Sequence, residues 1–97
     1  MDLGLQGKRA LVAGSSRGLG YATARLLALE GCHVAINSRN PQSLAEAAEK
    51  ISTESGTKAY PIPGDVSDST LPDQLIRQSV EALGGLDLLL TNSGGPP

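Results

Sequence analysis

The chain has 97 residues, 39% of them hydrophobic and 19% charged, with a formal net charge of −2, one cysteine and two aromatic residues, Tyr21 and Tyr60. That length supports one modest core, and the near-neutral balance without runs of like charge leaves no footprint for nucleic acid or an anionic membrane surface. A lone Cys32 excludes an internal disulfide framework, and no basic flank leads into a long apolar segment, so a cytoplasmic protein handling a small dissolved ligand is expected.

Ala10-Leu11-Val12-Ala13 is a short apolar run between Lys8-Arg9 and Gly14, the pattern of a strand buried on both faces. Three glycines follow, and then Leu19, Ala22, Leu26 and Leu29 recur at spacings of three and four, predicting the buried stripe of a helix that Gly31 closes. Cys32 to Asn37 predicts a second buried strand. Asn40-Pro41 opens a second helix, with Leu44, Ala48 and Ile51 along one face as far as Gly56. Lys58 to Ile62 predicts a third strand, and because Pro61 has no N–H for a ladder this strand belongs at a sheet edge. Ser67 to Thr70 offers capping side chains to a third helix carrying Leu71, Leu75, Ile76, Val80 and Leu83, closed by Gly84-Gly85. Leu86 to Leu90 predicts the fourth strand.

Strands and helices that alternate through short connections imply right-handed crossovers and a parallel sheet, an α/β doubly wound architecture with strand order 3-2-1-4. No repeat, low-complexity tract or long linker divides the chain, so one domain is expected. Leu88-Leu89-Leu90 lacks the charge, proline or bulge that guards an open edge, which predicts an interior strand whose neighbour is missing. Residues 1–97 are therefore expected to form the N-terminal part of a single Rossmann-type domain whose remainder lies beyond Pro97.

A parallel strand that turns directly into a helix sets free N–H groups and the positive end of the helix dipole at the carboxyl edge of the sheet, a ready anion site. There Gly14 makes the tight turn, Gly18 lets the backbone approach a pyrophosphate, and Gly20 lets the helix pack on the strand. The spacing is G-x-x-x-G-x-G, and no G-x-x-x-x-G-K-[ST] pattern is present, which argues against a nucleoside triphosphatase. Ser16 is a candidate hydroxyl donor to a phosphate or else a solvated loop serine, and Leu19 completes the set of turn residues facing a dinucleotide.

With "AGSSRGLG" over residues 13–20, "GDV" over 64–66 and "TNSG" over 91–94, the chain resembles the short-chain dehydrogenases/reductases. The matching family loops are T-G-x-x-x-G-x-G, the adenine-contacting turn after the third strand, and N-N-A-G after the fourth. Ala13 stands for the threonine of the first loop, and Thr91 and Ser93 depart from the last. The resemblance implies that Asp65 accepts a hydrogen bond from the adenine amino group while the Val66 amide serves a ring nitrogen. It implies too that Asn92, Ser93 and Gly94 border the ribose and nicotinamide.

An acid at the end of the second strand serves the adenosine ribose hydroxyls and repels a 2′-phosphate, whereas arginine accommodates it. Ser38-Arg39 stand there, and Arg17 converges from the glycine loop, a pair similar to that of NADP-dependent family members, so NADP(H) is favoured over NAD(H). Either arginine alone also reads as a solvated surface cation.

Cys32 reads as a small core residue, and His33, the only histidine, points to the opposite face, so no metal is assigned. The family's catalytic tyrosine stands four residues before a lysine, with a serine assisting. The positions four after Tyr21 and Tyr60 hold Arg25 and Gly64, so no catalytic residue is assigned within this chain. The resemblance implies a parent oxidoreductase, near the 3-oxoacyl-[acyl-carrier-protein] reductase branch, that transfers hydride between NADP(H) and a small carbonyl or alcohol; the parent is expected to be a homo-oligomer, and the chain alone inactive. Two other readings stay open, a non-catalytic dinucleotide-binding or redox-sensing module and a piece that self-associates through its bare fourth strand. A methyltransferase is disfavoured by the missing acid after the second strand.

Overall fold

The computed structural model describes residues 4–14, 18–64 and 71–91. Among them run, in chain order, β1 (Arg9–Ala13), α1 (Gly18–Leu29), β2 (His33–Ser38), α2 (Pro41–Ser55), β3 (Ala59–Pro63), α3 (Leu71–Leu83) and β4 (Leu88–Thr91). The strands form one parallel sheet in the order β3-β2-β1-β4, as the alternating pattern predicts. Pro61 sits on β3, which is an edge strand.

Side-chain alternation along the strands builds two cores, one on each face of the sheet. Ala10, Val12, Val34, Ile36 and Ala59 join Ala24 and Ala28 of α1 and Leu44, Ala47, Ala48 and Ile51 of α2 in the larger. Leu11, Ala35 and Ile62 meet Leu75 of α3 in the smaller, with Tyr60, Leu83 and Leu86 at its margin. Two helices cover the first face and one the second, so the second buries less.

The ends of α2 follow its local chemistry. Asn40 is the N-cap, its Oδ1 accepting the amides of Gln42 at 3.0 Å and Ser43 at 3.1 Å, with Pro41 at the first helical position and Gly56 closing the last turn. At the end of the sheet opposite the strand carboxyl termini, Arg9 clasps Asp87. The Arg9 amide donates to Asp87 Oδ2 at 2.9 Å, its Nε does so at 3.3 Å, and its Nη1 donates to the Gly84 carbonyl at 2.9 Å.

The helix faces correct the sequence reading. On α1 the buried positions are Gly20, Ala24 and Ala28, while Ala22, Leu26 and Leu29 of the expected stripe are exposed; Leu26 is 58% exposed. The face that α1 packs on the sheet is built of small residues; apolar residues surround this helix, so their periodicity gives little contrast. On α3 the stripe Leu75, Ser79 is buried, while Ile76 and Val80 stand on the neighbouring, uncovered stripe. Ser79 returns its hydroxyl to the Leu75 carbonyl at 2.7 Å, which lets a polar residue lie in the interface. Strand limits shift by one or two residues: Cys32 precedes β2, and Leu86 and Asp87 precede β4, where they pack on the smaller core and clasp Arg9.

Candidate functional site

All four strands point their carboxyl ends to one edge, and the connections at that edge carry the glycine turn and the turns after β2 and β3. β1 ends at Ala13, and Gly14 follows at φ 72°, a left-handed geometry that an L side chain resists. α1 begins at Gly18, φ 69°, and among the described residues nothing beyond its own helix and chain neighbours lies within 4 Å of the place a Cβ would occupy. The first turn of α1 holds no acidic residue, so no carboxylate competes with an anion for its free amides. Open space over left-handed backbone at a helix N-terminus fits a diphosphate. Gly20, two residues further along the first turn, is buried, and Leu19 lies between the two glycines.

Ser38 ends β2 half-buried, and Arg39 follows it, exposed. Ser38 Oγ donates to the Asn40 carbonyl at 3.5 Å, and the Ser38 carbonyl accepts the Gly64 amide at 3.0 Å, which draws the turn after β3 against the end of β2. Gly14, Gly18, Ser38, Arg39 and Gly64 thus stand on connections at one edge of the sheet. Ser16, Arg17, Asp65, Val66, Asn92, Ser93 and Gly94 lie outside the described residues, as does the expected cap between Ser67 and Thr70.

Sequence reasoning missed Asn37. It is fully buried at the end of β2; its Nδ2 donates to the carbonyls of Ile62 at 2.9 Å and Gly64 at 3.1 Å, and its Oδ1 accepts the Gly14 amide at 3.4 Å. The available signal was an asparagine finishing an otherwise apolar strand, since a buried amide demands partners.

The remaining polar groups serve the scaffold. Cys32 lies in the larger core and donates to the Leu5 carbonyl at 3.4 Å, and burial, helped by Glu30, pushes its thiol up from the ordinary value. His33 next to it is exposed, so the two do point apart. Tyr21 packs on the larger core, and Tyr60 on the smaller beneath Lys58, whose Nζ is 5.0 Å from the ring centre. Among the described residues no group of three or more His, Cys, Asp or Glu could hold a metal ion, and no helix is long and apolar enough to cross a membrane.

The family model for the short chain dehydrogenase matches residues 8–97, covering the glycine turn and the turns after β3 and β4. The chain belongs to the short chain dehydrogenase family. It is 41% identical to a glucose 1-dehydrogenase of Gluconobacter oxydans, over 91% of this chain and 33% of the relative. It is 34% identical to a 2,3-dihydro-2,3-dihydroxybenzoate dehydrogenase of Bacillus subtilis, over 94% of this chain and 34% of the relative. An L-sorbose reductase from Gluconobacter frateurii, solved in complex with NADPH and L-sorbose, superposes with a TM-score of 0.93 at 33% identity, covering 100% of this chain and 37% of that one. The chain spans about a third of the length of each of these two dehydrogenases.

Proposed function

We propose that this chain is the cofactor-binding part of an NADP(H)-dependent oxidoreductase that interconverts small carbonyl compounds and alcohols. The observation that carries the reading is the left-handed backbone at Gly14 and at Gly18, with no described side chain over Gly18 and no acid in the first turn of α1, and with Arg39 exposed on the connection after β2. The α1 amides hold the diphosphate, while Ser38, Arg39 and Arg17 receive the adenosine 2′-phosphate in place of the acid that would select NAD(H). Asp65 and Val66 take the adenine, and Asn92, Ser93 and Gly94 border the nicotinamide side. When bound, the reduced nicotinamide supplies the hydride. The NADPH complex of the L-sorbose reductase and the dehydrogenase names of the relatives support this reading. A 3-oxoacyl thioester is one member of the proposed carbonyl class.

We place the activity in a parent protein of the cytoplasm, with the groups that touch substrate in a continuation of the same domain. Leu26 and Leu29 on α1, Ile76 and Val80 on α3, and Leu89 and Leu90 on β4 are all exposed, an apolar surface that a continuing sheet and its helices would cover. Titration of the chain with NADPH and NADH tests the cofactor reading. Tighter binding of NADPH, with the preference lost in Arg39→Ala, is expected; equal affinity for both in the unaltered chain overturns the choice of NADP(H).

A further inference from the structure

We infer that Asn37 is a positioning residue for the cofactor, one buried amide that fixes the glycine turn against the turn after β3. The inference rests on the dinucleotide reading above. Backbone pairing of β1 with β2 ends at Ala13 and Asn37, and that of β2 with β3 ends at Ser38 and Pro63. Beyond those pairs the Gly64 amide still donates to the Ser38 carbonyl, but among the described residues no ladder bond ties the turn after β3 to the glycine turn. Asn37 does so from between them: Oδ1 accepts the amide of Gly14, the first residue past β1, while Nδ2 donates to the carbonyls of Ile62 and of Gly64, the first residue past β3.

Those two turns are the ones that hold the two ends of an adenosine diphosphate group, the diphosphate at α1 and the adenine beyond Gly64. A ligand that contacts both binds more tightly when their separation is set beforehand, because the two turns need not be ordered on binding. The amide is the one side chain that supplies two donors and an acceptor to this trio. Aspartate offers no donor to the two carbonyls, and an aliphatic residue leaves all three backbone groups without their side-chain partner.

The test is a pair of titrations on the full chain and on Asn37→Ala, at a temperature where circular dichroism shows each fully folded. NADPH, which touches both turns, is followed by fluorescence; inorganic pyrophosphate, which touches only the glycine turn, is followed by amide chemical shifts. Asn37→Ala is expected to weaken NADPH roughly tenfold or more while changing pyrophosphate by less than about threefold. Should Asn37→Ala fail to fold, Asn37→Ser, which keeps one hydroxyl in the same place, carries the same comparison. Undiminished NADPH affinity in a folded variant, or equal loss of both ligands, overturns the assignment to Asn37. If the unaltered chain binds neither ligand, the dinucleotide reading itself fails.

Discussion

Arg9 and Asp87 hold each other through backbone and side chain at once: the Arg9 amide and Nε both donate to one Asp87 oxygen, and the Asp87 amide donates to the Arg9 carbonyl at 2.8 Å. The clasp joins the start of β1 to the start of β4, seventy-eight residues later in the chain. The Arg9 backbone amide first, then its guanidinium, holds the Asp87 carboxyl below the usual carboxylate range. A carboxylate with a depressed folded pKa contributes stability that is complete above its unfolded pKa of about 3.9 and is lost as pH falls through the folded value. Asp87→Asn therefore lowers the thermal midpoint at neutral pH, and the gap to the unaltered chain closes as pH drops below about 4. Parallel midpoint curves down to acid pH would remove the carboxylate from this role.

The buried face of α1 is tested by two substitutions of opposite expected effect. Ala24 is fully buried against the sheet, so Ala24→Leu forces the helix outward and costs about 1–3 kcal/mol of unfolding free energy. Leu26 is mostly exposed, so Leu26→Gln changes stability by no more than about 0.5 kcal/mol. Denaturant titration of both decides between the small-residue stripe and the leucine stripe; a larger loss for Leu26→Gln would restore the latter.

The two helices also show what was legible in the sequence. Strand order follows from the alternation of strands and helices through short right-handed crossovers. The edge position of the Pro61 strand and the limits of α2 follow from backbone chemistry: a missing N–H group, a capping side chain, and glycine where a left-handed turn stands. These are local properties, so the sequence carries them. Which stripe of α1 is buried depends on how the helix packs on the sheet, where Gly20, Ala24 and Ala28 make the buried face. Leucine spacing cannot report it. At the site, Gly14, Gly18, Ser38 and Arg39 were visible as a motif and a charge, whereas Asn37 works by joining residues 23 and 27 positions away. No local pattern encodes such a reach.

Cys32 gives a prediction about access. Its thiol is fully buried and pushed up by burial, with Glu30 adding to the shift, so the reactive thiolate is scarce in the folded chain. Labelling by an aromatic disulfide at mildly alkaline pH is expected to be slow in the folded chain and to match, in urea, the rate at which the fold opens. Rapid stoichiometric labelling of the folded chain would show the larger core to be open at its edge.

Gly18 and Gly56 form a matched pair for separating backbone strain from ligand contact. Both are left-handed, at φ 69° and 74°, and among the described residues neither has an atom beyond its own helix and chain neighbours within 4 Å of a Cβ position. Alanine at either site costs roughly 1–2 kcal/mol for holding an L residue in that geometry, and neither meets a protein atom. Gly18 opens α1 at the carboxyl edge of the sheet, while Gly56 closes α2 at its far end. In the proposed binding mode a methyl group at 18 stands where the diphosphate approaches the α1 amides, so Gly18→Ala is expected to raise the NADPH dissociation constant about tenfold or more, and Gly56→Ala to leave it unchanged despite the same loss of thermal midpoint. Equal dissociation constants for the two variants, by fluorescence titration on fully folded samples, would mean that the space over Gly18 receives no part of the cofactor.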